Sequence, residues 1–167
     1  METERLLVRP IRKADESAFA EGTADRVFRT AYGFPAEMDA EVTGKIFDRF
    51  CGMPDSGAIT EKATGNMIGF ILNVNPEMPE KILAGLPGKG RTLAYAVFPP
   101  YQRRGYMKET LETYIRELFR NKDTDYIHCG HFTDNEASRS LLQQLGFHEY
   151  ARHTAEERVI IDEILFR

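Results

Sequence analysis

Hydrophobic and polar positions along the chain switch between two periods, and the switches mark the elements. Leu6-Leu7-Val8 reads as a first strand, and helices with connecting loops are predicted around Ala18–Ala24 and Ala40–Phe50. Two strand-like runs, Gly57–Glu61 and Met67–Val74, are separated by Ala63-Thr64-Gly65-Asn66, which gives a hairpin. Residues 75–91 are rich in Pro, Gly and charge and read as a long loop; in a compact domain such a loop is a functional lid or a disordered tip. Leu93–Phe98 returns to strand. From Met107 the period becomes helical, with Leu111, Tyr114, Ile115 and Leu118 on one side and Lys108, Glu109, Glu112, Arg116 and Glu117 on the other. Asp125–Phe132 reads as a further strand. Thr133-x-x-Glu136 supplies a capping box for a helix with the stripe Leu141, Leu142 and Leu145, and Gly146 stops it. Glu149–Thr154 and Arg158–Leu165 form a closing hairpin, and no internal repeat is present.

Composition narrows the class. At 167 residues with 42% hydrophobic side chains, the chain suits one well-buried α/β domain spanning 1–167 and is short for two. No stretch is long and apolar enough to cross a bilayer. The start carries Glu2, Glu4 and Arg5 around a short apolar pair and lacks a signal-peptide core, so a cytoplasmic protein without a membrane partner is expected. A net charge of −4 argues against a nucleic-acid surface, which needs a coherent basic face, and sits better with a cationic acceptor. Glu37, Asp39, Glu41, Asp48 and Asp55 would draw in an amine, but a solvated helix face is the expected reading. Cys51 and Cys129 are too few for a disulfide framework or a zinc site and read as reduced thiols.

The chemistry concentrates in residues 94–107, where a strand passes through Pro99-Pro100 into a basic loop that opens a helix. The first N–H groups of a helix have no intrahelical partners and lie at the positive end of its dipole, so a phosphate placed there meets donors and favourable charge. Gly105 lets backbone approach closely. On the strand, Tyr95 and Val97 are two apart and direct their backbone groups to the same edge. A competing phosphate motif, Gly85-Leu86-Pro87-Gly88-Lys89-Gly90, fails as a P-loop: the first glycine position is Leu83, and Lys89 is followed by Gly90 instead of a hydroxyl residue.

The spacing Gln102-x-x-Gly105-x-Met107 resembles the acetyl-coenzyme A signature of the GCN5-related N-acetyltransferases (GNAT). Asn135-Glu136-Ala137-Ser138 through Leu145-Gly146-Phe147 resembles the same family's later helix. Glu4–Pro10 with Ala14-Asp15 is similar to the start of the subgroup that includes ribosomal-protein N-terminal acetyltransferases. The resemblance implies a mixed, mostly antiparallel sheet with splayed central strands flanked by helices, and acetyl-CoA as co-substrate with no metal. It implies that the amides from Arg103 through Tyr106 to Met107 hold the pyrophosphate after Gln102, with Arg103, Arg104 and Lys108 supplying charge. It also implies that the Tyr95 N–H polarises the thioester carbonyl, that Val97 bonds pantetheine, and that Asn135 and Ser138 touch the pantetheine arm. Met107 departs from the usual Gly or Ala.

Two further departures concern the chemistry. The family's usual Glu position is Arg91, and its usual Tyr proton donor is Leu142. His128 and His131 are the nearby titratable groups, but residues three apart on a strand face opposite sides, which also argues against a His-Cys-His metal site. His128 is taken as the base, because imidazole titrates near neutrality, with water-relayed deprotonation as the alternative. Cys129 lacks a His-Asp constellation at suitable spacing to activate it as a nucleophile. The expected function is direct transfer of acetyl from acetyl-CoA to a primary amine of a small molecule or a peptide or protein N-terminus, by a monomer or homodimer. The alternative is a non-catalytic acetyl-CoA-binding module.

Overall fold

In a computed structural model that describes every residue except Lys122 and Glu156, seven strands are β1 (Leu6–Pro10), β2 (Gly57–Glu61), β3 (Met67–Val74), β4 (Gly90–Val97), β5 (Tyr126–Phe132), β6 (His148–Ala155) and β7 (Arg158–Phe166). The helices are α1 (Glu16–Gly22), α2 (Arg26–Ala31), α3 (Ala40–Cys51), α4 (Glu80–Leu83), α5 (Tyr106–Arg120) and α6 (Glu136–Gln144). Strand order is β1-β2-β3-β4-β5-β7-β6. Pairing is antiparallel in β1·β2, β2·β3, β5·β7 and β6·β7 and parallel in β4·β5. This is the mixed, mostly antiparallel open sheet flanked by helices that the sequence led us to expect. The β4·β5 register pairs Gly90, Arg91 and Thr92 with Tyr126, Ile127 and His128, whereas β4 runs on to Val97 and β5 to Phe132.

The chain divides into two compact units, residues 1–72 with 95–113, and residues 73–94 with 114–167. The first is built on aromatic packing. Phe19 is fully buried, with the rings of Phe34, Phe47, Phe50, Phe70 and Phe98 at centroid distances of 5.4–6.4 Å. Gly22 lies so close to the Phe98 ring that any side chain there would collide with it. Capping fixes where the helices begin: Asp25 accepts from the Phe28 N–H at 2.7 Å to start α2, and Asp39 from the Val42 N–H at 2.8 Å to start α3. The acidic cluster is a solvated face. Besides the Asp39 cap, Glu37 meets Arg26, Glu41 meets Lys45 and Asp48 meets Lys13, all at exposed positions.

The second unit contains the β5–β7–β6 ladder, and the sequence reading of residues 75–91 is corrected there. The segment carries α4, and β4 begins at Gly90. Met78 is buried with Tyr126 and Ile164, and Ile82, Leu83 and Leu86 pack on them. A four-residue helix is too short for its period to show in sequence, but Ile82 and Leu83 within it and Leu86 just beyond it anchor the segment. The six-residue α2 is likewise too short for its period to show in sequence.

The α6 cap differs from the expected capping box. Asn135, not Thr133, is the N-cap, its Oδ1 accepting from the Ser138 N–H at 3.1 Å. At the other end Gly146 takes φ +87°, with its N–H on the Gln143 carbonyl at 3.1 Å and the Phe147 N–H on the Leu142 carbonyl at 3.0 Å. This paired closure is what a left-handed glycine at a helix end permits.

Candidate active site

The loop between β4 and α5 starts from a short 3₁₀ turn at Pro99–Tyr101. Arg103 follows at φ +60° and Gly105 at φ +77°. A non-glycine residue in the left-handed region carries conformational strain that persists only where the surroundings enforce it, and such residues cluster at ligand-binding turns. Left-handed residues among successive amides turn N–H groups toward one concavity, and here α5 begins at the next residue, Tyr106. Residues 102–105 are exposed. A Cβ built on Gly105 would meet only the Arg5 guanidinium, at 3.5 Å, so the concavity itself is open there.

The loop is braced from behind by residues the sequence reading did not assign. The Arg5 Nε donates to Glu109 Oε2 at 2.7 Å and its Nη1 to the Arg104 carbonyl at 3.0 Å, tying the first turn of α5 to the loop. The Arg5 backbone N–H and the Thr3 hydroxyl both donate to Glu109 Oε1. Burial would push the Glu109 carboxyl up, but these hydrogen bonds outweigh it and hold the group below its ordinary value. The Arg5 guanidinium stacks 4.5 Å from the Tyr106 ring centre, and the Tyr106 hydroxyl donates to Glu61 at 2.6 Å. The only sequence trace of this brace is an acidic residue one turn into a helix whose loop is basic.

Positions proposed for cofactor contact fall into two groups. In the first unit, Gln102 donates from Nε2 to the Val97 carbonyl at 2.9 Å, so it shapes the turn as well as lying in it. Arg104 donates to the Pro100 carbonyl at 2.9 Å and lies over the Tyr101 ring, whereas Arg103 and Lys108 are exposed. Met107 is half-buried and already helical, so its side chain does not interrupt the loop amides. Val97 is buried and Tyr95 half-buried on β4. In the second unit, Asn135 and Ser138 meet through the α6 cap.

His128 and His131 face opposite ways, as their spacing requires. His128 is buried and bonded on both ring nitrogens, Nδ1 to the Thr92 hydroxyl at 2.9 Å and Nε2 to Asp162 Oδ1 at 2.9 Å. Asp162 Oδ2 is in turn 2.7 Å from His153 Nδ1. His131 is bonded to the Phe132 carbonyl and lies 3.5 Å from the buried Glu163. Burial pushes the Cys129 thiol far up, with the Leu93 backbone bond opposing and Glu163 adding to the rise, so the group is no thiolate nucleophile. At the two departures from the resembling pattern, Arg91 donates to the Asn73 side-chain oxygen at 2.6 Å and its carbonyl at 2.9 Å, and Leu142 is fully buried. Among the described residues no cluster of three or more His, Cys, Asp or Glu is arranged to hold a metal ion, and no helix is long and apolar enough to cross a membrane.

The molecule's likeness to other proteins agrees with this geometry. No curated protein sequence matches the chain. Its fold is similar to that of a GNAT-family acetyltransferase from Bacillus anthracis, at 15% identity and TM-score 0.79, covering 99% of this chain and 97% of that one. It is also similar to a ribosomal-protein-S5-alanine acetyltransferase from Vibrio fischeri, at 17% identity, TM-score 0.75 and coverage of 99% and 95%. An acetyltransferase from Agrobacterium tumefaciens str. C58 is similar at 21% identity, TM-score 0.74 and coverage of 97% and 92%. At these identities the likeness is one of fold. Residues 5–148 match the family described as the acetyltransferase (GNAT) domain, so the chain belongs to the GNAT acetyltransferase family, a membership that implies acetyl transfer from acetyl-CoA.

Proposed function

We propose that the protein is an N-acetyltransferase that passes acetyl directly from acetyl-CoA to a primary amine of a small molecule or a peptide or protein N-terminus, in the pattern of the ribosomal-protein N-terminal acetyltransferases. The observation that carries the reading is the loop over residues 102–108. Its left-handed Arg103 and Gly105 stand immediately before α5, braced by Arg5 and Glu109, and an open concavity of amides with exposed cationic side chains suits a pyrophosphate.

In this reading the amides of Arg103 to Met107 hold the pyrophosphate, and Arg103, Arg104 and Lys108 add charge. Tyr95 supplies the N–H that polarises the thioester carbonyl, a donor worth about 3 kcal/mol when aimed at a developing oxyanion. Val97, Asn135 and Ser138 orient the pantetheine arm. His128 receives the proton that the amine gives up. Bound acetyl-CoA supplies the activated acyl group, and the protein contributes proximity, carbonyl polarisation and proton removal.

The test is thiol release from acetyl-CoA on incubation with an alanine-initiated peptide, lysine, spermidine or kanamycin, alongside a thermal-shift titration. A cofactor present at a hundredfold its dissociation constant should add about 2.7 kcal/mol of stability. Stabilisation with thiol release supports the reading. Stabilisation without release would favour a non-catalytic binding module, a reading supported by Arg91 and Leu142 in place of the usual Glu and Tyr.

A further inference from the structure

Thr92 on β4, His128 on β5, Asp162 on β7 and His153 on β6 form one hydrogen-bonded chain, with successive contacts of 2.9, 2.9 and 2.7 Å. Its interior is closed: the Asp162 side chain is fully buried and that of His128 is 4% exposed, while His153 at 19% reaches toward solvent. Thr92 is half-buried. Adjoining strands decide the ring states. Burial alone would push the Asp162 carboxyl up, but the bonds from His128 and His153 outweigh it and hold it below its ordinary value. An ionised carboxylate only accepts, so His128 Nε2 and His153 Nδ1 must both be N–H donors. In the neutral His128 ring Nδ1 then carries a lone pair, and the bond to Thr92 is fixed in direction, hydroxyl donating and imidazole accepting. The charged or titratable groups in this chain are Asp162 from β7 and, through it, His153 from β6, while β4 presents the neutral Thr92. His131, the other buried histidine of β5, is turned to Glu163.

With both ring nitrogens engaged, His128 meets an outside proton through the hydroxyl bonded to Nδ1. We propose that Thr92 is a catalytic relay residue for the acetyl transfer, passing the amine's proton to His128, and that Asp162 and His153 are positioning residues that set the tautomer of the ring. The proposal rests on the N-acetyltransferase reading above. As the amine nitrogen bonds to the acetyl carbon and the carbon–sulfur bond breaks, the amine proton moves to Thr92 Oγ1, and the hydroxyl's own proton moves to His128 Nδ1. The sulfur leaves with its electron pair as thiolate, later protonated by water. The imidazolium, paired with Asp162, returns its proton to solvent. Thr92 remains a hydroxyl throughout and forms no bond to acetyl.

The experiment compares the parent with Thr92→Val, Thr92→Ser and His153→Ala, using acetyl-CoA and whichever amine of the four-member panel reacts fastest. Thr92→Val should lower kcat by about 10²-fold, the lower part of the range for lost proton transfer, with acetyl-CoA affinity kept. Thr92→Ser, which restores the hydroxyl, should recover most of the rate. In His153→Ala, Asp162 has one donor fewer and binds the His128 proton more tightly, so the rising limb of kcat against pH should move to higher pH; a merely structural histidine would leave that limb in place. A Thr92→Val rate within about threefold of parent, under 0.7 kcal/mol on the barrier, would overturn the relay alone. So would an acetyl adduct on Thr92 in intact-mass spectra, or an unmoved limb in His153→Ala. If Thr92→Val fails to fold, the Thr92→Ser rate and the His153→Ala limb decide. No transfer to any of the four amines by the parent would overturn the relay together with the reading beneath it.

Discussion

Each of the two units buries one carboxylate held below its ordinary value, and the partners differ. Asp15 in the first unit takes a two-pronged bond from Arg9, 2.7 Å at each oxygen, plus the Arg12 backbone N–H. Asp162 in the second is held by two imidazoles. Burial opposes ionisation at both, and the hydrogen bonds prevail at both. Guanidinium stays charged at every pH a protein survives, so Arg9–Asp15 is a fixed clamp. Imidazole can take up or give up a proton near neutrality, which guanidinium cannot, and this is the property that the relay proposed above asks of the carboxylate's partners. A buried carboxylate is thus structural or chemical according to whether its partner can titrate.

The largest expected effect tests the background against which that comparison is read. Phe19→Ala in the aromatic cluster should cost about 3–5 kcal/mol, and urea unfolding should show the same cost at pH 6 and pH 8, because no ionisable group is involved. A pH-dependent cost would mean that the apolar region is coupled to titration after all.

Removing the clamp should be nearly as severe. Asp15→Ala strands the largely buried Arg9 charge and should cost about 3 kcal/mol near neutrality. Since the Asp15 carboxyl is depressed on folding, its contribution is present above the ordinary carboxylate range and lost as pH falls through the lower folded value. The cost of Asp15→Ala should therefore shrink in acid, as measured by unfolding at about pH 3 against pH 7. A cost that grew in acid would reverse the assignment of Asp15 as the ionised partner.

Smaller effects concern the loop before α5, proposed to hold the pyrophosphate. Gly105→Asp puts a side chain at φ +77° and a negative charge in the concavity, and should weaken acetyl-CoA binding at least tenfold, about 1.4 kcal/mol, by calorimetry. The loss of apo stability should be smaller, about 1 kcal/mol for the left-handed backbone. Equal affinity in variant and parent would remove the loop from the site. Arg5→Ala, which cuts the brace to Glu109 and the Arg104 carbonyl, should cost about 0.5–1 kcal/mol in cofactor affinity, consistent with a partly exposed ion pair. No change there would show that the loop holds its shape without the brace.

Legibility in the sequence followed locality. The strands, the long helix α5 and the closing hairpin were readable because each repeats its period over enough residues. The two shortest helices, α2 and α4, have six and four residues and were not. The turn that opens α5 was readable because its glycine, basic residues and helix start are contiguous. The spacing Thr133-x-x-Glu136 pointed to Thr133 as the cap of α6, whereas Asn135 holds that place; both types cap helices, and only backbone geometry separates them.

What the sequence determined by itself is the strands and the longer helices, the basic loop and the opposite facing of His128 and His131, all consequences of spacing within one segment. The tertiary structure decided the rest. Thr92, His128, His153 and Asp162 lie on four strands whose order departs from chain order, β7 between β5 and β6, and no spacing along the chain reveals that the register of those strands brings one carboxylate between two imidazoles. Arg5 and Glu109 likewise meet across 104 residues. Such contacts are set by strand pairing and burial, which depend on the whole fold and not on any local run of residues.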